Sequence, residues 1–160
     1  MPLSHIEHFA FLIPGSHHEN DPARGLEDTL QLFEHGERLD YDSGWVRQRH
    51  LERGISSAST FLAAATQRTK HIGLGTAVIQ LGYENPFRLA EDLATVDLLS
   101  NGRLNVGVSV GAPPFAYLIA DFVDAAPIAD YSHASAEKLA KALRSEPPSQ
   151  PIYSMMIGII

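Results

Sequence analysis

Cysteine is absent from all 160 residues. That excludes disulfides, thiolate metal sites and a cysteine nucleophile, and by itself it leaves the compartment open. Basic charge is scarce, with 12 Lys and Arg against 19 Asp and Glu and a formal net charge of -7. A nucleic acid or an anionic membrane surface requires a basic patch, so neither is expected as a partner. No apolar run approaches the roughly 20 residues needed to span a bilayer. The opening Met1-Pro2-Leu3-Ser4-His5-Ile6-Glu7-His8 lacks a basic segment followed by an apolar stretch. The expectation is a cytoplasmic protein without a signal peptide. Metal-ligand spacing is missing too. The densest histidine group, His17-His18-Glu19 with Asp21, has no H-E-x-x-H or H-x-x-E-H pattern. Adjacent histidines on an extended segment point apart, so this group reads as a solvated loop and no metal is expected.

What the chain does have is one well-formed unit, residues 69–111. Ile72 to Leu81 is nearly all apolar, with β-branched Ile72, Thr76, Val78 and Ile79 and small Gly73, Gly75 and Ala77. A continuous apolar run of this kind suits a strand covered on both faces. Asn85-Pro86 starts a helix, since Asn caps well and Pro at the first helical position lacks only an N–H that had no partner. Asn101-Gly102 stops it with residues that accept positive φ. A second buried strand follows at Leu104 to Val110. Two such strands joined by a helix form a right-handed parallel βαβ unit. On the helix, Arg88, Glu91, Asp92 and Thr95 share a polar arc, and Phe87, Leu89, Ala90, Leu93, Ala94, Val96 and Leu98 fill the rest. Asp97 falls inside the apolar side. A buried carboxylate needs a partner, and Arg103, just past the turn, is the expected one, as a structural clamp.

The pattern repeats upstream. His8 to Ile13 reads as a strand closed by Pro14-Gly15, Ser16 to Pro22 as a loop, and Arg24 to Leu39 as a helix. Ser43 to Arg47 reads as a short strand and Gln48 to Gly54 as a polar loop. Ser56-Ser57 caps a helix from Ala58 to Arg68. The expected order is β-α-β-α-β-α-β, an α/β fold. After Gly111 only His133 to Arg144 shows helical periodicity. Ser145 to Pro151 has linker composition, and Ile152 to Ile160 is an apolar, unpatterned tail, read as a buried strand or a docking peptide, with a segment not native to this fold as the second reading. The expected division is 1–145 and 146–160.

Gly107-Val108-Ser109-Val110-Gly111 also spells G-x-S-x-G, the nucleophile elbow of serine hydrolases, with Asp121, Asp124 or Asp130 and His133 downstream. The elbow needs a helix that begins at the serine. Ala112-Pro113-Pro114 intervenes here, which argues against that chemistry.

Several stretches together resemble the bacterial luciferase-like flavin-dependent monooxygenases. These are Ile72-Gly73-Leu74-Gly75-Thr76-Ala77-Val78, Asn85-Pro86 with Leu89-Ala90-Glu91-Asp92, and Asp97-Leu98-Leu99-Ser100-Asn101-Gly102-Arg103. Asn105 to Gly111 is similar to the family's glycine-rich fourth strand. Tyr41-Asp42-Ser43-Gly44-Trp45 and Arg49-His50-Leu51-Glu52 resemble its second strand and the following loop. The resemblance covers about residues 6–111. It implies a (β/α)8 TIM barrel that binds reduced FMN, or a deazaflavin in some branches, and oxidises a small organic substrate with O2. A flavin reductase that supplies reduced flavin is the implied partner. The flavin carries the chemistry and the protein supplies orientation and a dry pocket. By the same resemblance, Ala77-Val78 is a non-prolyl cis peptide beneath the flavin ring. His50 lies beside the position of luciferase's catalytic-loop histidine, which falls on Arg49 in the simplest alignment. Ser109 stands where luciferase has a pocket cysteine, and Val110 where it has an arginine near the cofactor phosphate. Asp40 replaces the family's usual glycine after the first helix.

Eight β/α units need about 250 residues, and only about four are legible here. The reading is a partial barrel whose open edges invite pairing with another chain. A homodimer or a second barrel half would complete the pocket. The alternatives are a non-catalytic flavin-binding or structural remnant of the family, and the serine hydrolase.

Overall fold

The computed structural model describes residues 7–110, Leu118, Ala140, Arg144 and a short strand at 157–159. The elements alternate: β1 (Ala10–Ile13), α1 (Pro22–Arg38), β2 (Ser43–Val46), α2 (Ala58–Arg68), β3 (Gly73–Gln80), a 3-10 turn (Leu81–Tyr83), α3 (Pro86–Ser100) and β4 (Leu104–Ser109). Ile157–Ile159 forms β5. All five strands are parallel, in the order β1-β2-β3-β4-β5. Four strands in chain order with helical crossovers match the expected start of a β/α barrel.

Local chemistry sets the helix ends. Asn85 Oδ1 accepts from the N–H groups of Phe87 and Arg88 at 3.0 and 3.2 Å, and Pro86 follows it as the first helical residue. Asn101 and Gly102 take φ of 59° and 79° and end α3. Ser57 caps α2, with its hydroxyl accepting from Thr60 N–H. Helix α1 begins at Pro22, earlier than the expected Arg24, because Asp21 caps it and Pro22 fits the first turn. Asp40 adopts φ 57°, the left-handed conformation expected where the family carries glycine.

Strand alternation divides the sheet into two faces. The outer face carries Val46, Leu74, Val106 and Val108, all essentially inaccessible, packed with Leu62, Leu93 and Phe33 of the helices. The inner face carries Ser43 and Trp45 on β2, and small Gly73, Gly75 and Ala77 on β3. Trp45 pairs with Gly75 in register and lies over it, so a Cβ at Gly75 would meet the indole at 2.3 Å.

Two expectations about α3 fail. Phe87 and Leu98 lie 64% and 66% exposed, although the helical wheel places them on the apolar side. That side is wider than the strip α3 buries against α2 and β4. The Asp97–Arg103 clamp is also absent. Asp97 is buried, but its carboxylate accepts the N–H of Leu104, and burial pushes its pKa up. Arg103 turns the other way. Its guanidinium donates to Ser100 O, Ile72 O and Thr69 O at 2.7, 2.8 and 3.1 Å, and to Thr69 Oγ1 at 3.0 Å. It joins the end of α3 to the corner between α2 and β3. Five donors in a planar fork suit several carbonyls better than one carboxylate already satisfied by a backbone amide.

Glu37 near the end of α1 holds the same corner. Its carboxylate accepts the N–H groups of Lys70, His71 and Ile72 at 2.8, 2.7 and 2.9 Å. Burial opposes its charge, yet the three amides prevail and its pKa lies below the ordinary carboxylate value. A depressed carboxylate contributes stability above its unfolded pKa of about 4.3, and that contribution is lost as pH falls through the folded value. Glu37→Gln is expected to cost about 1–2 kcal/mol at pH 7 and less below pH 4. Urea unfolding of both proteins at the two pH values measures this, and a pH-independent cost would contradict it.

Candidate functional site

In a parallel α/β barrel, loops at the C-terminal ends of the strands build the site. Here those ends bring together the loop after β2 and the 3-10 turn after β3. The loop turns at Leu51, which has φ 58°. Gln48 lies at its root, 3% exposed. It continues the outward series Gly44, Val46, and its amide is fully engaged. Gln48 Oε1 accepts from Ala58 N–H at 2.9 Å, at the start of α2. Gln48 Nε2 reaches Glu84 Oε1 at 2.7 Å and His50 Nε2 at 3.1 Å. The His50 ring packs on Tyr83, with centroids 4.1 Å apart. Burial lowers the His50 pKa. Burial also raises the Glu84 pKa; Asp92 adds to this and the Gln48 hydrogen bond opposes it.

The sequence reading placed His50 in this region, but it missed Gln48, Tyr83 and Glu84. For Gln48 a signal existed. A polar residue on the outward side of a strand end is buried, and buried polar groups are bonded. Tyr83 and Glu84 gave no such signal, because they fall between the strand expected to end at Leu81 and the cap at Asn85, where the sequence carries no periodicity.

The Ala77-Val78 peptide is cis, as the resemblance implied. The pairing of β3 with β4 shifts register between Thr76 and Ile79. Thr76 Oγ1 spans that shift, donating to Gly107 O at 2.9 Å and accepting from Gly107 N–H at 3.0 Å. Ser109 is the last residue of β4, paired with Gln80. No hydrogen bond among the described residues joins it to His50. Its hydrolase partners Asp121, Asp124, Asp130 and His133 lie outside the described residues, as do the second expected domain segment's linker and the helix at 133–144 apart from single positions.

Two guanidinium nitrogens stand out. Arg47 Nε and Arg49 Nε are buried and have no hydrogen-bond partner among the described residues. Arg49 lies 4.0 Å from Glu52, a long contact. Arg47 follows β2 directly, with its N–H on Ile13 O at 3.1 Å. By alternation it shares the inner face with Ser43 and Trp45, one step beyond the level at which Trp45 lies over Gly75. A cation with an unpaired buried donor beside a glycine-lined face suits an anionic, planar ligand. Among the described residues no group of three or more His, Asp or Glu is placed to hold a metal. His17 and His18 are at the surface loop, Glu19 pairs with Arg53 at 2.7 Å, and Asp21 is spent as a cap. No described helix is long and apolar enough to cross a membrane.

Comparison with known proteins agrees with this arrangement. The sequence profile of the luciferase-like monooxygenases matches residues 7–121. Limonene 1,2-monooxygenase of Rhodococcus erythropolis is 35% identical over 108 residues, which are 66% of this chain and 28% of that protein. The 4-hydroxyprotoasukamycin monooxygenase of Streptomyces nodosus subsp. asukaensis is 36% identical over 114 residues, 70% of this chain and 31% of that protein. The chain therefore spans about a third or less of the length of these relatives. Among solved structures, the oxygenating constituent of 3,6-diketocamphane monooxygenase from Pseudomonas putida, in complex with FMN, superposes with a TM-score of 0.74 at 19% identity, over 88% of this chain and 40% of that one. The four parallel strands and their helices thus correspond to about half of such a barrel. With the profile match spanning the whole described strand–helix series, the chain belongs to the luciferase-like monooxygenase family.

Proposed function

We propose that this chain supplies one wall of a flavin-dependent oxidoreductase site, in which a reduced flavin lies on the glycine-lined inner face of β3 and β4. The observation that carries this reading is the buried Arg47 Nε beside that face, which has no hydrogen-bond partner among the described residues. The residues fit the group. Beyond the level that Trp45 covers, small Ala77 and Gly107 add little side chain to the face. Arg47 offers a positive donor to the negative charge of a reduced flavin. Ser109 contributes a hydroxyl at the end of β4. When bound, a reduced flavin would supply the two electrons that take one oxygen atom of O2 to water while the other enters a small organic substrate. The chain's own residues orient it, and the Gln48–His50–Tyr83–Glu84 group forms the rim where substrate enters. His50 is the side chain assigned to the reacting end.

The wall opposite β1–β4 comes from a second barrel half, on another chain or on further sequence. Two features support this. Beside β1, Phe11, Ile13, Leu32, Leu39 and Tyr41 line an apolar groove of about 210 Å³. Leu12 and Leu39 are 57% exposed. In a complete barrel the last strand and helix occupy that position. The isolated chain is expected to dimerise or aggregate, and a well-behaved monomer in light scattering would contradict that.

The direct test is anaerobic titration of purified chain with reduced FMN, and in parallel with a reduced deazaflavin. Binding weaker than micromolar is expected for the chain alone, and Arg47→Met is expected to remove it. Equal binding by Arg47→Met, or none at millimolar flavin, overturns the reading. The parallel arm identifies the cofactor. Turnover of bound reduced flavin with O2 separates an active oxygenase from a flavin-binding remnant.

A further inference from the structure

The amide of Gln48 can be oriented without ambiguity. A backbone N–H only donates, so the atom 2.9 Å from Ala58 N is the amide oxygen. The other atom is therefore the NH2 group, which has two hydrogens. One goes to Glu84 Oε1 at 2.7 Å. The other points at His50 Nε2, 3.1 Å away. If Nε2 carried a proton, two donors would face each other. Nε2 is consequently the accepting nitrogen, and the single proton of the ring sits on Nδ1.

We propose that Gln48 is a positioning residue that holds His50 as a neutral imidazole with its proton on Nδ1, so that His50 meets a ligand as a hydrogen-bond donor and not as a base. The function of that donor rests on the flavin-site reading above; the tautomer does not. The three partners come from three elements. Ala58 opens α2, Glu84 follows β3, and His50 is on the loop after β2, so one carboxamide locks the loop to both neighbours. The surroundings agree. Tyr83 covers the ring. Glu84 and, behind it, Asp92 of α3 are the carboxylates on that side, and Arg49 with Glu52 are the charged groups of the loop itself. Burial disfavours the imidazolium. A protonated His50 would have to turn the Gln48 amide over, which would break the bonds to Ala58 and Glu84 together.

The test uses the 15N-labelled chain without flavin. Long-range 1H–15N correlation of the histidine rings reports the tautomer, and a His50→Gln variant assigns the signal. His50 is expected as a single Nδ1–H tautomer that titrates below the ordinary value of about 6.5. In Gln48→Met the neutral ring loses its donor partner. The expected result is a mixture of tautomers and a midpoint raised by roughly half to one pH unit, the worth of one net hydrogen bond. Glu84→Gln still offers an amide oxygen to Gln48, so the Nδ1–H tautomer is expected to persist. An Nε2–H tautomer in the unmodified chain overturns the proposal, as does an unchanged tautomer and midpoint in folded Gln48→Met. Should Gln48→Met not fold, the unmodified chain and Glu84→Gln decide alone. An Nδ1–H tautomer together with failed flavin binding would remove the flavin reading and leave the role of Gln48 intact.

Discussion

Replacing Arg103 with Met is expected to lower unfolding stability by about 3 kcal/mol. The guanidinium makes five hydrogen bonds, four of them to the carbonyls of Ser100, Ile72, Thr69 and Thr66. A hydrogen bond to a charged group contributes about 1.5–3 kcal/mol when sheltered. Arg103 is only partly buried, so solvent screening reduces each bond. The sum is then closer to two full bonds than to five. Met keeps the aliphatic stem, so the loss reports the carbonyls left without a donor. Lys is expected to recover less than half, because a single ammonium cannot span three chain segments. The comparison that matters is a double-mutant cycle with Asp97→Asn. Asp97 bonds Leu104 N–H and not the guanidinium. A coupling below about 0.5 kcal/mol is expected, whereas a contacting pair couples by about 0.5–3 kcal/mol. A coupling above 1 kcal/mol, measured by urea denaturation, would restore the ion pair that the sequence suggested.

That case marks the limit of what the sequence discloses. Helix α3 was legible to the residue at both ends, because its signals are local: Asn85 and Pro86 at one end, Asn101 and Gly102 at the other. The burial of Asp97 was legible from the wheel as well. Its partner was not, since Arg103 finds its acceptors on residues 66–72, about thirty positions away. Sequence proximity favoured the nearer carboxylate. Phe87 and Leu98 failed for a related reason. A wheel gives the apolar arc, but the neighbouring elements decide how much of it is covered. The parallel α/β fold was legible because it rests on strand order and crossover length. In the candidate site, His50, Ala77, Val78 and Ser109 came with the family resemblance. The burial of Gln48 could be read from strand alternation, but the three elements that its one amide ties together are visible only once those elements are in place.

Gly107→Ala is expected to be as damaging as the loss of Arg103, at about 3 kcal/mol, and by the opposite mechanism. A Cβ at Gly107 would stand 2.5 Å from Thr76 O and 3.3 Å from Val78 Cγ1. The first contact is with backbone that cannot rotate away. Thr76 Oγ1 fixes the approach by bonding both N and O of Gly107, at 3.0 and 2.9 Å. Relief therefore requires β4 to move off β3, where overpacking costs typically 1–3 kcal/mol and occasionally more. Two further glycines separate this effect from others. Gly102 has φ 79°, and among the described residues nothing lies within 4 Å of where a Cβ would stand. Gly102→Ala should cost only the backbone term, about 1 kcal/mol. Gly75→Ala would meet the Trp45 ring at 2.3 Å. A side chain can shift, so fold stability should fall less than in Gly107→Ala, while the displaced indole intrudes on the inner face. The expected order of stability loss by urea denaturation is Gly107→Ala, then Gly75→Ala, with Gly102→Ala smallest. For reduced FMN binding, Gly75→Ala should fall well below Gly102→Ala. If Gly75→Ala binds flavin as the unmodified chain does, the inner face is a packing surface and the flavin belongs elsewhere.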